Sequence, residues 1–552
     1  MTLPYLLMTL LFSVLAILAA WDSSFSSLGL APWFNGLRWM RVHFITLGLL
    51  SEVIFGLAPT IVAARAGLAQ PRTRWDIWLA LNGGLLVLVA GIPLVNGWLI
   101  FVGGLLVFSA TILMMVQLSR IQGPDRAEAA APGGRRFYLT GLAYLLLGII
   151  VGTGLWLGWG PALGIQVPIE VHIHANNWGF MSLSFVGLLV DVYPGLTRRP
   201  LARPQSLTTI YWMMTIGALL LVLGPWFKNE LFSVPGIVLH LSATFWLLAS
   251  VVKPIWSDRR TWGPGLWHVI TSYVWIVAPV LVAPLIILKV PGFPGAGIEQ
   301  NAPQALVYGW VLQFGVALIP YLFARWLFPG RPASLGGSWF SLAAIHLGGV
   351  LLWASIFLKD IQGLVHGAAY LAWAVALVPV VAQIWRLARE SFEGHAAALN
   401  DAPRVAGEHQ APGAGWAASH EESGMRVQRT TISAALALVI GVMAIVAGGQ
   451  VLFLGRDPGY DVIDWLVIYN FGVGLLSVAA SALIWAGGVR ARSVAAIVLG
   501  GHAAVILTLL AFYNAVVAPD SLVAMTIRLS IWGAIVWLLG GLRPNGLGAS
   551  HR

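Results

Sequence analysis

The chain has no cysteine, and charged side chains make up only 9% of its 552 residues. Without cysteine there are no disulfides, no thiolate-held metals, no iron–sulfur clusters and no cysteine nucleophile. Any metal must be held by histidine, carboxylate, methionine, tyrosine or backbone oxygen. The shortage of charge, against about 25% in soluble globular proteins, excludes an ordinary water-soluble domain. What fills the chain instead is apolar: 59% hydrophobic residues, with 62 glycines and 27 tryptophans. The formal net charge of +10 resembles a nucleic-acid signal, but its placement along the chain argues otherwise.

Sixteen apolar segments reach the roughly 20 residues that a bilayer crossing needs. They run over about 4–20, 41–63, 76–95, 98–119, 137–158, 170–193, 208–227, 232–253, 266–289, 305–325, 338–358, 365–387, 430–454, 464–487, 493–516 and 521–542. The expected fold is therefore an all-α polytopic membrane protein of about sixteen helices. Residues 390–428 are rich in Ala, Gly, Glu and His without a sustained apolar period, and read as a flexible linker. His395, His409 and His420 fall in it at irregular spacing and read as solvated. The linker divides a twelve-helix domain, 1–389, from a four-helix domain, 429–552.

Basic residues fall on alternate loops: Arg65, Arg72 and Arg74, then Arg120, Arg126, Arg135 and Arg136, then Arg198, Arg199 and Arg203. Lys253, Arg259 and Arg260 continue the series, as do Arg325 and Arg331, Arg386 and Arg389, and Arg490 and Arg492. The loops between them are poor in Arg and Lys, as in "GRDPGYDVIDW". The positive-inside rule makes the basic side cytoplasmic. Both termini come out cytoplasmic, in a bacterial-type inner membrane with lipid as the surrounding partner. The charge is a topology signal, and no stacked basic–aromatic pattern points to nucleic acid. Residues 1–20 also resemble a signal peptide with "AILAA" before Trp21, but the basic n-region is missing and a retained helix is the preferred reading.

Polar groups inside such a chain are costly and mark sites. His43 opens the second helix, His172 and His174 the sixth, and His366 the twelfth. All three helices run from outside to inside, so these histidines gather near the outer face. His240 lies about 12 Å down the eighth helix at 1.5 Å per residue, His346 sits mid-way along the eleventh, and His268 lies at the opposite end of the ninth. An internal repeat links two of these helices. In "HFITLGLLSEVIFGLAP" and "HANNWGFMSLSFVGLLVDVYP", His43 and His174 are each followed by Gly at +5, Ser at +8 and Gly at +13. Either two glycine-lined helices pack closely, or one surface is used twice, with a histidine above small residues that admit a flat cofactor. At 100° per residue, His172 and His174 point about 200° apart. They cannot chelate one ion, and suit a helix standing between two centres. Glu170, Asn176 and Asn177 are placed to orient such ligands or a cofactor's polar edge.

"HIHANNWGFMSLSFVGLLVDVYP" resembles the bis-histidine helix of the haem–copper oxidase superfamily, closest to cbb-type oxidases and nitric oxide reductases. "HFITLGLLSEVIFGLAP" resembles that superfamily's second helix, and both resemble the NnrS family of haem- and copper-containing membrane proteins. The likeness covers two helices and the general plan of twelve. It implies that His43 and His174 are the axial ligands of a low-spin b-type haem, and that His172 ligates a second, high-spin haem. It also implies His240, His346 and His366 as candidates for copper or non-haem iron. The chain departs from the family in carrying the His-x-His helix sixth rather than tenth, and in lacking both the adjacent His-His pair and the His-Pro-x-x-Tyr element.

Two function classes follow. The first is a haem oxidoreductase that passes electrons from a quinol or cytochrome c, or through a partner subunit, to a small gas, O2 or NO; His172 and Glu52 would be catalytic. Its near relative is a non-catalytic NO-response protein. The second is a secondary transporter with broken helices and polar groups at mid-membrane depth. Three further ionisable residues stand within or near spans. Glu52 lies nine residues past His43, Asp191 reads as an interfacial residue near Arg198 and Arg199, and Arg528 lies inside the last helix.

Overall fold

The computed structural model describes the chain except residues 1–2, 28–37, 122–132, 198, 257, 259–261, 289, 329–330, 401–415, 455–462, 486–490, 514–515 and 541–552. Among the described residues there are helices and no strands. Fifteen helices are long and apolar enough to cross a membrane, and Trp75–Gly91 is a shorter apolar one. In chain order they are α1 Pro4–Ser24, α2 Trp39–Arg65, α3 Trp75–Gly91, α4 Gly97–Arg120, α5 Arg135–Leu157 and α6 Pro168–Thr197. Next come α7 Pro204–Phe227, α8 Glu230–Val252, α9 Pro264–Ile287, α10 Gly295–Leu327, α11 Trp339–Phe357 and α12 Lys359–Ser391. The last four are α13 Thr430–Leu452, α14 Asp464–Trp485, α15 Ala491–Phe512 and α16 Ser521–Gly540. These match the sixteen expected segments one for one. The reason is physical: in lipid every backbone polar group must be satisfied within its own segment, so apolar length alone dictates helices.

The chain forms two compact units, Met1–Arg389 and Glu390–Arg552. Part of the segment expected to be a flexible linker, 390–428, is helical. Helix extends through Asn400 and resumes at Trp416, so residues 390–400 and 416–428 are helical. His409 lies outside the described residues. Short polar stretches adjoining a membrane helix extend it at little cost, since each added residue gains a backbone bond without a new nucleus.

Unit 1 is built from one four-helix pattern used three times. α2, α6 and α10 are its most buried spans, and each contains a π-helical turn: Phe44–Leu50, Ala175–Met181 and Ala305–Leu312. Such wide turns re-aim side chains and are frequent at functional sites. Each begins directly after an equivalent residue, His43, His174 or Gln304. Each carries a glycine at +5, against which the preceding helix lays an aromatic ring: Phe12 on Gly48, Tyr144 on Gly179 and Trp275 on Gly309. The sequence reading found the first two copies and missed the third, because glutamine replaces the histidine that marked them. The remaining helices of each copy pair as hairpins, α3–α4, α7–α8 and α11–α12. Their backbones approach at Gly84 and Gly103, at Gly217 and Gly236, and at Gly348, as small residues permit in membranes.

These glycines give the fold's first prediction. A Cβ on Gly179 or Gly309 would enter the Tyr144 or Trp275 ring, whereas one on Gly83 meets nothing within 4 Å. Gly179→Val and Gly309→Val are expected to abolish the monodisperse peak in detergent size-exclusion chromatography, while Gly83→Ala leaves it intact. Overpacking of this kind costs about 1–3 kcal/mol or more.

Candidate functional site

The π turns place His43 and His172 together. The two rings lie with centres 6.1 Å apart and planes 25° from parallel. His43 Nδ1 donates to the Trp39 carbonyl at 2.8 Å in its own helix, and Trp39 also stacks on the ring at 4.2 Å. His172 Nδ1 donates to the Gly148 carbonyl of α5 at 2.8 Å. A carbonyl can only accept, so both imidazoles carry their proton on Nδ1 and keep the Nε2 lone pair for a ligand. Carbonyl-backed Nδ1–H groups of this kind fix the ring and strengthen Nε2 as a metal ligand. Two metal–nitrogen bonds of about 2.0–2.1 Å, plus about 1.1 Å from each nitrogen to its ring centre, span about 6.2–6.4 Å. The observed 6.1 Å between ring centres is close to that span.

His174 turns the other way. Its Nδ1 donates to the Leu221 carbonyl of α7 at 2.5 Å. The two histidines of α6 therefore bond opposite neighbours, α5 and α7, as a 200° separation requires. What differs from expectation is the partner: the His43 ring faces His172, not His174. The 200° argument separates the two sides of α6 but does not say on which side α2 packs.

The other candidates are dispersed. Among the described residues no group of three or more His, Asp or Glu side chains converges on a metal position, so His240, His346 and His366 do not come together as the copper or iron ligands that were expected of them. His240, buried on α8, lies with Nε2 3.3 Å from the Trp178 carbonyl and its ring edge-on to Trp178. His346 receives the Trp275 indole N–H on Nδ1 at 3.1 Å. Its proton is therefore on Nε2, which meets Thr271 Oγ1 at 2.8 Å, leaving no lone pair for a metal. His366 is tied by Nδ1 to Ser27 Oγ at 3.3 Å, beside Tyr370, whose hydroxyl donates to Gln304 Oε1. In the third copy the ligand position is thus a glutamine held by a tyrosine. His268 bonds Ser341 Oγ at 2.9 Å and supports the start of α11.

The polar surroundings divide similarly. Asn176 braces His172, donating to its carbonyl at 2.8 Å and lying 3.4 Å from Nδ1. Asn177 is buried inside the π turn, and Glu170 stands exposed at the start of α6. Glu52 is fully buried, with the Asn82 side chain beside it and no ion-pair partner among the described residues. Its position in the third copy is occupied by Gln313, which bonds Thr271 at 2.9 Å.

Asp191 was expected at the interface near Arg198 and Arg199; Arg198 lies outside the described residues, and Asp191 does not pair with Arg199. Its carboxylate pairs with Arg65 at 3.2 Å and accepts from the Gly134 N–H at 3.0 Å and the Tyr138 hydroxyl at 3.1 Å. Arg199 pairs instead with Asp258 at 2.6 Å. Sequence reasoning also missed Arg41. It lies two residues before His43, pairs with buried Asp22 at 3.8 Å, and keeps an unbonded, buried Nε. The signal was the Arg-x-His spacing in "RVHF", which mirrors His-x-His on α6.

No protein-family model matches this chain, and no curated protein matches it.

Proposed function

We propose that the chain is a haem-binding membrane oxidoreductase in which His43 and His172 would hold a b-type haem iron through their Nε2 atoms. The observation that carries the reading is the imidazole pair itself: two carbonyl-backed rings 6.1 Å apart, with no third protein ligand joining them among the described residues. A bare zinc or copper ion asks the protein for three or four ligands. Two opposed imidazoles suit a metal that brings its own equatorial ring, and bis-imidazole haem is suited to electron transfer. When bound, such a haem supplies one-electron redox chemistry.

The chain's own residues do the rest. Trp39 and Gly148 fix the two rings through Nδ1, and Asn176 holds the backbone at His172. Arg41 offers a buried N–H to an acidic cofactor edge. Glu52, about 13 Å along α2 from His43 at 1.5 Å per residue, carries a proton between the basic side of unit 1 and the centre. His174, whose Nδ1 is held by the Leu221 carbonyl, would be the residue available to hold a second haem iron. Electrons come from a quinol or cytochrome c, since the chain has no cysteine for an attached haem or iron–sulfur cluster. By the positive-inside rule the Arg65 end of α2 and both termini face the cytoplasm of a bacterial-type cell.

The test is a pyridine haemochrome and reduced-minus-oxidised spectrum of the purified full chain, with metal analysis. About one or two b-type haems per chain are expected from the number of available Nε2 ligands. Absence of haem after expression in a haem-replete host overturns the reading.

A further inference from the structure

Unit 2 has a polar centre of its own. Its four helices form a ring, α13 on α14, α14 on α15, α15 on α16 and α16 on α13. Two apolar clusters fill the interior. One surrounds Ala437, Ile484 and Trp532, the other Leu466, Leu509 and Met525. Arg528 lies between Met525 and Trp532 on α16, at the junction of the two, and is 8% exposed. Its Nη1 donates to Asn470 Oδ1 of α14 and stands 3.8 Å from Met525 Sδ. α14 and α16 are diagonal in the ring, so this bond crosses the bundle interior. Tyr469, which packs on both clusters, places its hydroxyl 3.1 Å from His502 Nδ1 of α15, and His502 is buried.

A guanidinium keeps its charge in proteins, and Arg528 is about 10 Å into α16 from Ser521 at 1.5 Å per residue. An intramembrane charge at that depth needs compensation. Among the described residues no carboxylate pairs with it, and Nη1 is the only guanidinium nitrogen that makes a hydrogen bond. The surrounding groups are rich in donors: the remaining Arg528 N–H groups, the Asn470 amide, and the Tyr469–His502 pair, which has one proton to spare at its free end in either tautomer. Donors around one fixed positive charge, closed above and below by apolar side chains, select a small anion of single charge.

We propose that the interior of unit 2 binds a small monovalent anion of the halide, nitrite or formate class, held by Arg528 with Asn470, Tyr469 and His502. A phospholipid phosphate is the wrong source, because headgroups lie at the membrane surface and not within a four-helix interior. The proposal uses unit 2 alone and is independent of the haem reading.

The experiment is ³⁵Cl⁻ NMR line broadening by the purified full chain in detergent, with nitrite and formate as competitors. Broadening that both competitors reverse is expected. Arg528→Gln should weaken it at least about tenfold, the loss of a charge-assisted bond, and Arg528→Lys should retain part. His502→Ala, which keeps the cation, should weaken binding with helicity unchanged by circular dichroism; it serves where Arg528→Gln fails to fold. Equal broadening by wild type and Arg528→Gln overturns the proposal. So does chloride binding that appears only in Asp457→Asn, Asp461→Asn or Asp520→Asn, since a carboxylate of the chain then neutralises Arg528.

Discussion

His43→Ala and His172→Ala each remove the same low-spin haem signal from the reduced-minus-oxidised spectrum, while His174→Ala spares it. This is the result expected if the two rings that lie 6.1 Å apart are the axial pair. Loss of either imidazole leaves the iron with one protein ligand, so a carbon monoxide-binding, high-spin form appears in its place. Added imidazole should restore the low-spin spectrum of a His172→Gly protein, because the carbonyl of Gly148 still waits for a ring N–H. The opposite pattern, in which His174→Ala removes the signal and His172→Ala spares it, returns the site to the order that the oxidase resemblance implies. The choice between the two turns on which side of α6 faces α2. Gly148 and Leu221 mark those sides, as the carbonyl partners of His172 and His174.

Asp191→Ala is expected to lower the stability of unit 1 by about 1–3 kcal/mol, the cost of leaving buried hydrogen-bond donors unsatisfied. The carboxylate is wholly enclosed, with 0% side-chain exposure, while Arg65 is 34% exposed. The loss is therefore asymmetric. Removing Asp191 strands the Gly134 N–H and the Tyr138 hydroxyl. Removing Arg65 leaves the carboxylate its hydrogen bonds from Gly134 and Tyr138, so Arg65→Ala should cost less. Asp191→Asn keeps an acceptor for Gly134 and should fall between the two. Apparent melting temperatures in one detergent rank the three variants; an Asp191→Ala protein as stable as wild type removes the assigned role. The contact joins the end of α2 to α6 and to the start of α5, so the haem signal of surviving Asp191→Ala protein is expected to be heterogeneous.

The membrane helices were legible because lipid leaves the backbone one solution, and apolar length reads it directly. The repeat was legible only where histidine marked it. The third copy keeps the glycine at +5 and the π turn, but Gln304 stands where the others have histidine. Its identity rests on Trp275 packing against Gly309, a contact between distant segments. The same limit hid the partner of Asp191. Arg199 is near in sequence but pairs with Asp258, and Arg65 arrives from another helix.

Amino-acid pattern suffices to give a membrane protein of about sixteen helices without thiol chemistry, and to turn His172 and His174 opposite ways. Helix period and transfer free energy are local properties, and they suffice for that. Tertiary structure alone decided that His43 meets His172, that His240, His346 and His366 are held apart by their own hydrogen bonds, and that Arg528 reaches across a bundle to Asn470. Each of those depends on which faces of separate helices pack together. That is set by glycines and aromatic rings meeting across long stretches of chain, which no single helix encodes.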